Sequence, residues 1–126
     1  MYNIKKTTTY DFQKAIEKTK EALGEEGFGI LNFLDVKKIM KEKLDLDYDE
    51  YMILGVCNPD SAHQALEAEK DIGLMLPCNV IVYRDGGSVK VAAINPTETM
   101  KIVDNPEITA IAEGIENKLR KAIESI

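Results

Sequence analysis

Sulfur and imidazole are scarce in this sequence: two cysteines and one histidine in 126 residues. No CxxC or HxxxH pair fixes two metal ligands within one turn, so a locally encoded zinc site is excluded. Positive charge is in deficit, with 16 Lys and Arg against 22 Asp and Glu and a net charge of -6. An acidic chain is repelled by phosphate backbones and anionic lipid, so neither nucleic acid nor a membrane surface is an expected partner. Long apolar runs are missing as well. Nothing approaches the roughly 18 residues that a membrane-spanning helix needs. The start, "MYNIKKTTTYDF", has no apolar stretch followed by a cleavage site and does not read as a signal peptide. A cytoplasmic location is expected, where two cysteines are reduced thiols rather than a structural disulfide. There is no internal repeat, linker or low-complexity segment, and the length suits one domain, 1–126.

Hydrophobic residues make up 44% and charged residues 30%, a balance typical of a globular protein. Residues 2–8 end in β-branched residues and read as a strand. In the stretch that follows, Phe12, Ile16, Thr19 and Leu23 recur at helical spacing, with Asp11 available as a cap and Gly24 or Gly27 as a stop. "FGILNFLDV" (28–36) reads as a strand and "VKKIMKEKL" (36–44) as a short amphipathic helix with Val36, Ile39, Met40 and Leu44 on one side. "DLDYDE" (45–50) is an acidic connector. It lacks the glycine and distal glutamate of a calcium loop.

"EYMILGVC" (50–57) is another strand. Residues 58–69 form a helix with Asn58 as cap, Pro59 at its first position and Asp60 at the positive end of its dipole. "KDIGLMLP" is a loop. Residues 78–84 and 88–94 are strands joined by "DGG", whose residues tolerate the positive φ of a tight hairpin. Those two glycines lack the Gly-Lys-Ser/Thr and following helix of a phosphate loop. Two Asn-Pro breaks enclose about one helical turn. Residues 107–126 close the chain as a helix striped by Ile108, Ile111, Ile115, Leu119, Ala122 and Ile126.

This order predicts an α+β fold: five strands in a mainly antiparallel sheet, two long helices on one face, and short connecting helices. The strands at 28–36, 50–57 and 78–84 are apolar on both sides. Two long helices cover only one face. The other must meet the short helices, a ligand or a second copy, because monomers rarely leave such a patch in water. A homodimer is therefore expected.

The stretch "LGVCNP" (54–59), an Ala-Leu-rich helix, "GLMLPCNV" (73–80) and then "INPTETMKIVDNPEI" (94–108) together resemble the family called domain of unknown function 302. The hallmark of that family is Leu-Gly-Ala-Cys-Asn-Pro followed by Gly-x-Leu-Leu-Pro-Cys-Asn-Val. Val56 and Met75 are mild departures from it. The resemblance spans nearly the whole chain. It implies a TATA-binding-protein-like β-α-β4-α sheet and a homodimer, and it implies no reaction.

Cys57 ends one strand and Cys78 begins another. In antiparallel neighbours the two would share one edge, and His63 lies about one turn into the helix after Cys57. Four readings follow. The thiols can be small buried hydrophobes, with Asn58 capping a helix and Asn79 satisfying loop backbone after Pro77. Cys57, His63 and Cys78 can hold a metal or haem. Cys57, beside a helix N-terminus, can be a redox or nucleophilic thiol with His63 as base, although no third orienting group is evident. Finally, Cys57, Asn58, His63, Pro77, Cys78 and Asn79, with Asn95 nearby, can rim a pocket for a small molecule or partner. A homodimeric binding module without catalysis is the leading expectation. A cysteine- and histidine-based metal, haem or thiol-redox protein is the alternative. The cofactor is left unspecified.

Overall fold

A computed structural model describes residues 1–126. The chain runs β1 (Asn3–Thr8), α1 (Phe12–Glu25), β2 (Gly29–Asp35), α2 (Val36–Leu44), β3 (Tyr51–Cys57), α3 (Pro59–Ala68), β4 (Cys78–Asp85), β5 (Ser88–Ile94), α4 (Pro96–Thr99) and α5 (Pro106–Glu124). Short 3-10 turns cover Lys70–Met75 and Met100–Ile102. The first of these is ordered where the sequence suggests only a loop. The five strands form one antiparallel sheet in the order β1-β5-β4-β3-β2. No helix is long and apolar enough to cross a membrane.

Alternation along the strands sorts the side chains. Leu54 and Val56 of β3, Val80 and Val82 of β4, and Val89, Val91 and Ala93 of β5 are buried against α1 and α5. Those helices contribute Ala15, Ile16, Leu23, Ile115, Leu119 and Ile123 at helical spacing. Thr19 enters this core because its hydroxyl donates to the Ala15 carbonyl at 2.7 Å. A second, smaller core forms where α3, the 3-10 turns and the first half of α5 meet around Ala65, Ile72, Met100, Ile108 and Ala112.

Three helices start on the same device. Asn58, Asn95 and Asn105 each precede a proline and accept a backbone N–H with the side-chain oxygen. Proline fills the first helical position, where its missing N–H costs nothing. All three also tie distant segments, Asn58 through the Glu26 carbonyl at 3.4 Å. The Asn105 amide donates to the Ala68 carbonyl at 3.1 Å, and the Asn95 amide donates to the Met1 carbonyl at 3.3 Å.

β2 departs from expectation. It reads as a strand apolar on both sides, but it is an edge of the sheet and is exposed along almost its whole length, with Leu31, Phe33 and Leu34 in solvent. α2, which follows it, has no fully buried residue: Val36 and Met40 are half-buried, while Ile39 and Leu44 stay exposed. The reason is position: strand order comes from long-range pairing, which residue type does not reveal.

Candidate functional site

The sheet has an open face, opposite α1 and α5. The registers place Lys90 against Tyr83 and Tyr83 against Tyr51 in one row across it. In the next row Lys5 lies against Ala92, Ala92 against Ile81, Ile81 against Ile53, and Ile53 against Leu34. In the third, Asn3 lies against Ile94, while Asn79 lies against Gly55 and Gly55 against Asn32. One edge of the face is thus aromatic and cationic, its middle is apolar, and its far edge carries amides.

The Tyr51 and Tyr83 rings stack with centroids 5.4 Å apart and planes 27° from parallel. Burial raises the Tyr51 phenol above its ordinary range, and Tyr83, Tyr48 and Tyr2 push the same way. Lys5 holds its ammonium 6.0 Å from the Tyr83 centroid. The other cations nearby are engaged: Lys90 with Asp85 at 2.7 Å and Arg84 with Glu50 at 2.9 Å. A groove of about 410 Å³ opens here, lined by Tyr2, Asn3, Lys5, Tyr51, Asn79, Ile81 and Tyr83 among others.

Gly55 explains the shape of the far edge. A Cβ there would lie 2.5 Å from Asn32 Oδ1 and 3.0 Å from Pro77 Cγ. β2 has a register irregularity between Ile30 and Asn32, and Asn32 Oδ1 accepts the Gly55 N–H at 3.1 Å. The side chain of Asn32 does locally what a ladder carbonyl would have done.

The Cys-Asn pairs resolve into two different things. Cys57 and Cys78 do meet at one edge of the sheet. Val56 is directly opposite Cys78, and both thiols line a cavity of only about 20 Å³ with Phe28, Ala65, Pro77 and Met100. That is room for about one water, far less than a haem occupies. Cys78 is 6% exposed, and its thiol is pushed up to about 11, chiefly by burial and then by Cys57. Asn58 caps α3 through Ser61 N–H at 3.3 Å, and its amide donates to the Glu26 carbonyl at 3.4 Å. It clamps the turn before β2 to the start of α3. Asn79 does not satisfy loop backbone: it lies within β4, exposed on the open face, and no hydrogen bond engages its side chain. Pro77 lines the thiol cavity and also lies against Gly55.

His63 stands apart from the thiols. Its side chain is 77% exposed, 3.8 Å from Glu67, in a groove between α3 and α5. A helix points side chains around its axis, and the Cys57 end of α3 does not carry this ring with it. The set Cys57, His63 and Cys78 is therefore not assembled, and no group of three or more His, Cys, Asp or Glu side chains is placed to hold a metal ion. Asn95 is buried and fully occupied as the α4 cap, with its oxygen accepting from the backbone and hydroxyl of Thr97.

The sequence pattern of the family described as "Domain of unknown function DUF302" matches residues 4–126. The chain belongs to this family. Among solved structures, the chain is similar to the uncharacterized conserved DUF302 protein from Bacillus stearothermophilus, known from its crystal structure. The two share 31% identity and a TM-score of 0.92, over 98% of this chain and 97% of that one. No curated protein matches the chain. The DUF302 relationship thus fixes the fold and leaves the chemistry to the side chains of the open face.

The residues that sequence reasoning passed over are Tyr2, Lys5, Tyr51, Ile81 and Tyr83. A signal for most of them was present. Tyr51 and Ile53, and likewise Asn79, Ile81 and Tyr83, recur at every second position, which puts each set on one face of its strand.

Proposed function

We propose that this DUF302 chain is a non-catalytic binding domain that works as a homodimer and holds a small organic ligand on the open face of its sheet. The observation that carries the reading is the groove of about 410 Å³, where stacked tyrosines, apolar Ile81 and Ala92, an unpaired lysine and free amides converge on one surface. That combination, mostly apolar with a few polar groups that fix orientation, is what small-molecule sites are made of. Neighbouring side chains supply no nucleophile with a base in reach, so the face suits binding better than turnover.

The second copy has a surface of its own. The unpaired edge of β2 and the uncovered side of α2 present Leu31, Phe33, Leu34, Ile39 and Leu44 to solvent. Free strand edges invite pairing with another chain. Sedimentation equilibrium at micromolar concentration tests this half, with a dimer expected and a stable monomer contradicting it. Amide NMR with a mixture of small organic molecules tests the other half: shifts are expected at Tyr51, Ile81, Tyr83 and Ala92. Shifts confined to the cavity of Cys57 and Cys78 would favour the thiol alternative. That alternative has the weaker footing. Cys57, the thiol it would use, lines the small cavity, while His63, its candidate base, lies exposed in a separate groove beside Glu67.

A further inference from the structure

The open-face groove has a definite chemical preference, and we propose that its ligand is a small planar aromatic carboxylate. This rests on the reading of the open face as a ligand site and names the class of ligand.

The aromatic part follows from the floor. Tyr51 and Tyr83 are already stacked, with Tyr2 on the rim and the flat apolar strip of Ile81, Ala92 and Ile94 beside them. A planar ring placed on that strip extends the stack and meets tyrosine faces or edges in the offset geometry that aromatic pairs favour. Ala92 matters by being small. Its methyl is buried at the base of the groove, and its larger neighbours Ile81, Tyr83 and Ile94 form the walls that a ring would contact.

The charge follows from the ion pairs. Lys90 and Arg84 are each bound by a carboxylate, whereas Lys5, opposite Ala92, has none within ion-pair distance. In a chain with net charge -6, an ammonium with no direct ion pair beside an apolar floor, its nearest acid Asp85 being bound by Lys90, is complementary to one negative charge. A polyphosphate would bring several charges to one lysine and be repelled by the rest of the molecule. A neutral ring would leave Lys5 unused. Asn3 and Asn79 carry side-chain amides that no other group of the chain engages, and each can donate to a carboxylate oxygen or a ring substituent.

The test is titration of the full chain with 2-naphthoate, and separately with the neutral 2-naphthalenemethanol, followed by amide NMR. Saturable shifts at Tyr51, Ile81, Tyr83 and Ala92 are expected for naphthoate, with the neutral analogue weaker by about tenfold or more. Lys5→Met, a change at an exposed position, should cost naphthoate about tenfold in affinity and leave the neutral analogue unchanged, with the circular dichroism unaltered. Tyr83→Leu should weaken both. Equal binding of the two probes on this face would overturn the carboxylate while leaving a ligand site there. Binding of neither probe, with the same amides shifting on dilution of a dimer, would overturn the ligand site itself and assign the face to a second copy.

Discussion

Cys78 shows how one side chain couples packing to pH. Its ordinary thiol value is 9.0, and burial raises it to about 11 in the fold. The folded state therefore holds the proton more tightly than the unfolded chain does. The associated stability is complete below about pH 9 and is lost as pH rises through about 11. In urea unfolding, the gap between wild type and Cys78→Ala should narrow by roughly 2 kcal/mol between pH 8 and pH 11. A gap that stays constant would contradict the burial argument. For the same reason, iodoacetamide at pH 8 should modify Cys57 about tenfold faster or more than Cys78, read by peptide mass spectrometry. Gly55 gives a second residue-scale expectation. Gly55→Ala forces a Cβ into Asn32 Oδ1 and should cost about 1–3 kcal/mol, measured by chemical denaturation. A change under about 0.5 kcal/mol would show that Asn32 moves aside freely. At this scale Asn58 was legible, because Asn before Pro before Asp is a local cap signal. Asn79 was not. Its position in a strand, rather than its neighbour Pro77, decides where the amide points.

Elements were largely legible because turns and caps are local. The Asp85–Ser88 hairpin turns on Gly86, whose φ of 62° is the positive value glycine tolerates; Gly87 does not adopt one. The Asn-Pro pairs mark the starts of α3, α4 and α5. Asn105 holds both the first turn of α5 and the end of α3, so Asn105→Ala should lower stability by about 1–2 kcal/mol in thermal or urea unfolding. An unchanged midpoint would mean that water replaces the amide at no cost. What could not be read was which strand forms the edge. β2 and β3 look alike as apolar runs, yet β3 lies inside the sheet and β2 does not. Sequence pattern specifies that a strand has an apolar face; pairing partners come from contacts far along the chain.

For the whole molecule, two long helices are enough to cover only one face of a five-stranded sheet. The fold matches that arithmetic: α1 and α5 share one side, and the tyrosine rows lie on the other. The candidate site moved, however. Scarce residue types drew attention to Cys57, Cys78 and His63, whereas the open face is built from common ones whose meaning lies in alternation along β3 and β4 and in the register between them. The most direct test is native mass spectrometry of the chain as purified, beside Ile81→Glu, which puts a charge at the centre of the open face. The account predicts that the wild type carries a bound small molecule, and that the variant stays folded and loses it. A wild type of bare polypeptide mass, indistinguishable from the variant, would contradict a binding function for this face.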